Sequence, residues 1–127
     1  MTAEVLILFA HGARDPEWAK PVEAVAAQLR EALPEKRIEI AFLEFMQPTL
    51  AEAVAKSVGA AIAPTGMKIH ILPFFIAQGG HLRKELPEML DALRKQYPVQ
   101  AFHLLPPLGE LPEVQAAMTK AIAGLVA

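Results

Sequence analysis

The sequence predicts an α/β fold, a three-layer α/β/α sandwich around a four-stranded parallel sheet of order 2-1-3-4. Three observations carry this. A continuous apolar run, Val5-Leu6-Ile7-Leu8-Phe9-Ala10, opens the chain; four strand-like runs are each followed by a stretch of helical periodicity; and the units repeat at about 30 residues. Strands that alternate with helices require right-handed crossovers, and these lay helices on both faces of a parallel sheet.

The elements follow in order. The first run lies between Glu4 and His11-Gly12 and is apolar at every position, as a central strand covered on both faces must be. Asp15-Pro16 then offers a capping side chain and a proline for the first helical position. Trp18, Val22, Val25, Ala26 and Leu29 recur at helical spacing until Pro34. Arg37 to Leu43 alternates and then turns apolar, which reads as a second strand. Thr49 with Glu52 three residues on makes a capping box, and Leu50, Val54, Val58 and Ile62 share a helical face that Pro64 and Gly66 end. Met67 to Phe75 is the third strand, with Pro73 near its end because proline cannot donate to a ladder. The third helix is expected from Pro87 through Tyr97, since the residue before a proline avoids helical conformations. That leaves a loop of about eleven residues, Ile76 to Leu86, longer than most strand-to-helix connections and a functional candidate on that ground. Val99 to Leu104 is the fourth strand. A last helix from Pro112 is expected to turn Val114, Ala117, Met118, Ala121, Ile122 and Leu125 inward.

Composition narrows the function classes. The 127 residues, 54% hydrophobic and 20% charged, suffice for one core, so residues 1–127 are read as a single domain. Twelve Lys plus Arg against fourteen Asp plus Glu give a net charge of −2, and no basic run exceeds a pair, which argues against a nucleic-acid partner. Without cysteine there is no disulfide framework, zinc ribbon or thiolate nucleophile, and a metal would have to use His, carboxylate or backbone oxygen. Met1 to Glu4 carries no basic n-region. Val5 to Ala10 is too short for a signal segment or a membrane span, so the cytoplasm and no membrane partner are expected.

In an open parallel sheet, ligands bind outside the carboxyl ends of the strands where strand order reverses. That edge receives His11-Gly12-Ala13-Arg14-Asp15 after the first strand, Glu44 after the second, and Gln78-Gly79-Gly80-His81 with Arg83-Lys84 after the third. Neutral imidazole and carboxylate oxygen suit borderline divalent ions, and two His plus one carboxylate leave positions open for a substrate, so a catalytic metal site is the simplest chemistry. Gly79-Gly80 permits a close backbone approach, and Arg14, Arg83 and Lys84 would suit an anionic substrate. Each residue also has a plainer role: His11 as a helix cap, Glu44 as a solvated charge or a partner for Arg37, the cations as ordinary surface. His70 and His103 lie within strands and read as hydrogen-bonded structural histidines, and Met46, Phe74 and Phe75 as core or pocket wall. The glycine fingerprints of dinucleotide and nucleotide phosphate sites are missing, as is the Gly-x-Ser-x-Gly elbow, so no NAD or ATP is expected.

Leu6 to Pro16 (LILFAHGARDP), Ala41 to Leu50 (AFLEFMQPTL) and Leu72 to Pro87 (LPFFIAQGGHLRKELP) resemble, in order and spacing, the class II chelatases, which insert a divalent metal into a tetrapyrrole without ATP. Most similar are the short, single-domain sirohydrochlorin cobaltochelatases and their sirohydrochlorin ferrochelatase relatives. The resemblance implies a chelatase-like fold, His11 and His81 as the catalytic metal-binding pair, and Glu44 as a further ligand. It implies sirohydrochlorin as the partner molecule, Co²⁺, with Fe²⁺ or Ni²⁺ as alternatives, as the metal substrate, no other cofactor, and a homodimer presenting two half-sites. Ala13 departs from the serine that many members carry there, and the histidine-rich tail of some relatives is absent. Two other functions fit the same residues: a divalent-metal binding or delivery protein without turnover, and a flavodoxin-like ligand-binding module.

Overall fold

Four parallel strands, β1 (Glu4–Ala10), β2 (Arg37–Phe42), β3 (Lys68–Pro73) and β4 (Ala101–Leu104), pair in the order β2-β1-β3-β4 in a computed structural model that describes residues 4–61 and 65–127. Fold class and strand order are those the sequence predicts. The central position of β1 follows from its burial: Ile7 pairs with Glu39 on one side and Ile71 on the other, and Ile7, Leu8 and Phe9 are fully buried. Four helices complete the chain, α1 (Lys20–Ala32), α2 (Leu50–Ala60), α3 (Gly80–Gln96) and α4 (Pro112–Val126). Among the described residues no helix is long and apolar enough to cross a membrane.

The pleat divides the apolar residues of the strands between two cores. Val5, Ile7 and Phe9 of β1, with Ile69 and Ile71 of β3, pack against Ala53 and Val54 of α2 and Leu86, Leu90 and Leu93 of α3. Leu8 and Ala10, with Ile38 and Phe42 of β2, pack against Val22 and Ala26 of α1. Each large aliphatic side chain so buried contributes roughly 1.5–3 kcal/mol. The second core is the smaller because α1 alone covers that face. The capping box of α2 forms as expected: the Thr49 hydroxyl accepts from the Glu52 amide at 3.2 Å, and the Glu52 carboxylate accepts from the Thr49 amide at 2.8 Å. The expected end of this helix at Ile62 and Pro64 lies outside the described residues.

Three expectations are corrected. The first concerns α3, which begins at Gly80 and not at Pro87, so the preceding loop shortens to residues 74–79. Pro87 removes one helical hydrogen bond, but Leu86 and Leu90 on either side of it are fully buried and hold the segment helical. The second concerns the first helix, which opens with a separate 3₁₀ turn, Pro16–Ala19, whose Asp15 cap accepts from the Glu17 amide at 2.9 Å. The tighter turn takes Trp18 out of the α1 register and leaves it 73% exposed. The third concerns α4: none of its residues is buried, Val114 and Met118 are half-buried, and Ala117, Ala121, Ile122 and Leu125 are exposed.

The face of β4 that α4 would have covered stays open, with Ala101 and His103 exposed and only Phe102 buried. His103 stacks on His70 at a ring separation of 5.3 Å. The His70 Nε2 lies 3.3 Å from the Glu4 carboxylate, which also accepts from Lys36 Nζ at 2.9 Å. The Lys36 hydrogen bond holds the Glu4 carboxyl below its ordinary value against some desolvation, and His70 adds a smaller pull. A carboxylate depressed in the folded state contributes stability above its unfolded pKa, and that contribution is lost as pH falls through the folded value. Glu4→Gln therefore lowers the urea midpoint at pH 7 and weakens its fall between neutral and acid pH; parallel midpoint curves for the two proteins would contradict this.

Candidate metal-binding site at the carboxyl edge of the sheet

Backbone pairing runs past the ends of the strands and builds the rim of this edge. The Leu43 amide donates to the Ala10 carbonyl at 2.9 Å, and the Glu44 amide to the His11 carbonyl at 3.2 Å. Gly12 sits at φ +85°, and a Cβ there would land on the Glu44 carbonyl oxygen, so glycine alone lets the two loops close on each other. Phe45, at φ 66°, turns the chain immediately after Glu44. On the other side the Phe74 amide donates to the Phe9 carbonyl at 2.7 Å, and the Gly109 amide to the Phe75 carbonyl at 2.8 Å. Gly109 also lies so close to the Ile76 carbonyl that a side chain would overlap it.

Two histidines stand on this frame. His11 leaves β1 with its ring edge-on to Phe75, centroids 6.0 Å apart, and Phe75 rests in turn on Phe9 at 6.3 Å. His81 is the second residue of α3, exposed, with Nε2 3.1 Å from the carboxylate of Glu85 one helical turn on. His11, His81 and Glu85 line one open cavity of about 540 Å³, whose apolar walls include Leu43, Phe75, Ile76 and Leu82.

Of the residues expected here, the structure brings His11, Gly79 and His81 together. Glu44 is exposed at the rim, tied to His11 through its backbone but not among the cavity's lining residues. Among the described residues no three of His, Asp and Glu stand close enough to hold a metal ion, so the two-histidine, one-carboxylate group is not assembled within one chain. Arg14 faces a second opening, of about 550 Å³, where its guanidinium lies 5.0 Å over the Phe45 ring and Met46 forms part of the wall. Arg83 reaches the Gln78 carbonyl at 3.4 Å and Glu110 at 3.6 Å, and Lys84 is exposed on α3. Gly79 caps α3 and Gly80 begins it, and a Cβ at either would meet open space, so the close backbone approach expected of this pair is not made within the chain. Glu85 escapes the sequence because its kinship with His81 exists only once the helix starts before His81. The four-residue spacing is the signal that would have found it.

The sequence profile of the CbiX family matches residues 5–125. The chain belongs to the CbiX family. It is similar to the sirohydrochlorin cobaltochelatase of Methanococcus aeolicus, with 34% identity over 90 residues, 71% of this chain and 60% of the relative. It is similar also to that of Methanopyrus kandleri, with 33% identity over 85 residues, 67% of this chain and 57% of the relative. The CbiX chain thus spans about 60% of the length of the curated relatives it matches. Among solved structures it resembles that of a Marinobacter aquaeolei VT8 protein assigned to cobalamin (vitamin B12) biosynthesis as CbiX, at a TM-score of 0.82, 28% identity and 97% of both chains. The sirohydrochlorin chelatase SirB of Bacillus subtilis subspecies spizizenii, in complex with cobalt, shares the fold at a TM-score of 0.79 and 20% identity, over 97% of this chain and 51% of that one.

Proposed function

We propose that this CbiX chain is an ATP-independent lyase of the cytoplasm that inserts a divalent metal, Co²⁺ in preference to Fe²⁺ or Ni²⁺, into sirohydrochlorin for cobalamin or siroheme synthesis. The supporting observation is that two histidines from separate segments, the exit of β1 and the start of α3, line one apolar-walled cavity at the carboxyl edge of the sheet. The cobaltochelatase names of the curated relatives support the choice of substrate and metal.

Insertion exchanges two pyrrole protons for one divalent ion, so the site must present the ion, bare the nitrogen lone pairs and take up protons. The Glu85 carboxylate accepts from Nε2–H of His81, and that tautomer leaves Nδ1 with a free lone pair for a metal ion or a proton. His11 is held by Phe75 and offers the second imidazole. Leu43, Phe75 and Leu82 supply an apolar wall for one face of a macrocycle bent to expose its nitrogens. Arg14, Arg83 and Lys84 surround the edge as cations for the carboxylate arms, with Arg83 partly neutralised by Glu110. Glu44 at the rim is the remaining carboxylate for an arriving ion. A flat macrocycle exceeds what one open cavity encloses, so a second copy facing this edge completes the enclosure.

A metal-delivery protein needs ligands but no apolar cavity beside them, and the cavity favours insertion. The deciding experiment follows sirohydrochlorin absorbance anaerobically after addition of Co²⁺, Fe²⁺ or Ni²⁺, with and without the protein. A spectral shift faster than the blank, fastest with Co²⁺, is expected. Rates equal to the blank for all three ions, with metal still bound by the protein, would replace chelatase with delivery.

A further inference from the structure

The two arginines of α3 are held in different ways. Arg94 uses both terminal nitrogens: Nη1 donates to the Asp91 carboxylate and Nη2 to the Phe102 carbonyl, each at 3.0 Å, and the second bond fastens α3 to β4. Arg83 makes both of its contacts through Nη2, 3.4 Å to the Gln78 carbonyl and 3.6 Å to the Glu110 carboxylate. Both are longer than the roughly 2.7–3.2 Å of a well-formed N–H···O bond. Among the described residues Nη1 and Nε of Arg83 have no hydrogen-bond partner, and the side chain is 61% exposed. Most of a five-donor fork is therefore free.

Its surroundings fix where that fork stands. Gln78 lies between Ala77 and Gly79, which line the histidine cavity, and Arg83 follows His81 by two residues. Glu110 ends the Leu108–Glu110 turn, whose Gly109 amide donates to the Phe75 carbonyl at 2.8 Å and whose Gly109 carbonyl accepts from Gln115 Nε2 at 3.1 Å. The backbone under Glu110 is thus fastened to the cavity wall, and its carboxylate stands beside Arg83 without closing on it. An exposed pair with no short hydrogen bond is at the weak end of ion pairs. A free carboxylate, by contrast, can meet a guanidinium with two parallel bonds of about 2.8 Å.

From the loosely held fork beside the cavity wall we infer that Arg83 receives a carboxylate arm of the macrocycle and that Glu110 is its internal competitor, holding the guanidinium until the arm takes its place. The inference rests on the chelatase reading and adds to it a residue that opposes substrate capture. An arriving arm and Glu110 share one cation and repel each other, so the Glu110 charge weakens binding at the point where Arg83 supplies it. Glu110 acts through Arg83 and is a positioning residue.

Fluorescence titration of the full chain with metal-free sirohydrochlorin at about 100 mM salt, where charges beyond about 10 Å are screened, tests this. Glu110→Gln is expected to lower Kd by about threefold, within the range of an exposed ion pair, and Arg83→Gln to raise it by about fivefold. In the Arg83→Gln background the Glu110→Gln change is expected to have almost no effect, because the competitor has lost what it competes for. Asp91→Asn is the control. It removes the same unit of charge from the better-paired arginine, about 15 Å along the helix from His81, and Kd is expected to stay as in the wild type. In turnover the Glu110→Gln gain is expected in KM, which follows Kd. A Kd unchanged or raised by Glu110→Gln, a gain that persists without Arg83, or an equal gain from Asp91→Asn would each overturn the inference while wild-type turnover keeps the chelatase reading. Wild-type binding without turnover would remove metal insertion, and the Glu110→Gln titration would still decide the exchange. A wild-type chain that does not bind sirohydrochlorin would overturn both.

Discussion

His11→Ala and His81→Ala are each expected to lower the rate of Co²⁺ insertion by at least about 100-fold, the lower end of the range for losing a positioned acid–base group, and to leave the fold intact. The second half of that expectation comes from exposure: both rings stand at the sheet edge, outside the two cores, and surface substitutions of this kind change stability within about ±0.5 kcal/mol. Initial rates of sirohydrochlorin metalation, paired with thermal melts, check both halves together. Glu85→Gln is expected to fall between, about tenfold down, because it acts through His81 by fixing a tautomer and does not replace a ligand nitrogen. Rescue by Glu85→Asp, whose shorter arm keeps the charge, separates this role from simple packing. Wild-type turnover in either alanine variant would remove that histidine from the mechanism.

Gly12→Ala is expected to be strongly damaging at this edge, because it combines a backbone penalty with a steric one. A non-glycine residue in the left-handed region costs roughly 1–2 kcal/mol, and the new Cβ would overlap the Glu44 carbonyl oxygen, forcing the two loops apart at a further cost of about 1–3 kcal/mol. For a domain of this size the sum lowers Tm on the order of 10 °C. Activity should suffer too, because the displaced backbone carries the Glu44-to-His11 hydrogen bond. Gly59→Ala is the control: it lies in α2 with open space where its Cβ would sit, and alanine there should stabilise by about 0.5–1 kcal/mol. Thermal melts of the two variants side by side give opposite shifts if the backbone geometry, and not the added methyl as such, decides.

How much of this was legible without coordinates varies with the kind of signal. The β1 run reads as a central strand because an unbroken apolar hexapeptide has no face for water, and the alternation of strands with helices gives the parallel sheet and the edge bearing His11; the order 2-1-3-4 is not fixed by either signal and rests on the pairing of β1 with β2 and β3. The start of α3 was obscured because Pro87 carries a strong local preference, while the burial of Leu86 and Leu90 that overrides it is a tertiary fact. With the helix start misplaced, Glu85 had no visible relation to His81. Glu44 was expected beside the histidines because strand ends share an edge. Where its side chain stands depends on the turn at Phe45, a positive φ that composition does not announce in a phenylalanine. In α4 the apolar stripe was plain, but a stripe reads the same whether its cover comes from the same chain or another, so its inward assignment failed.

The packing of Gly109 against the Ile76 carbonyl acts as a mechanical joint. That contact leaves no slack between the Ile76 wall of the cavity and the Leu108–Glu110 turn from which the chain enters α4. Any side chain at position 109 would have to displace the Ile76 backbone, so the spacing between the Leu108–Glu110 turn and the cavity wall is set at that contact.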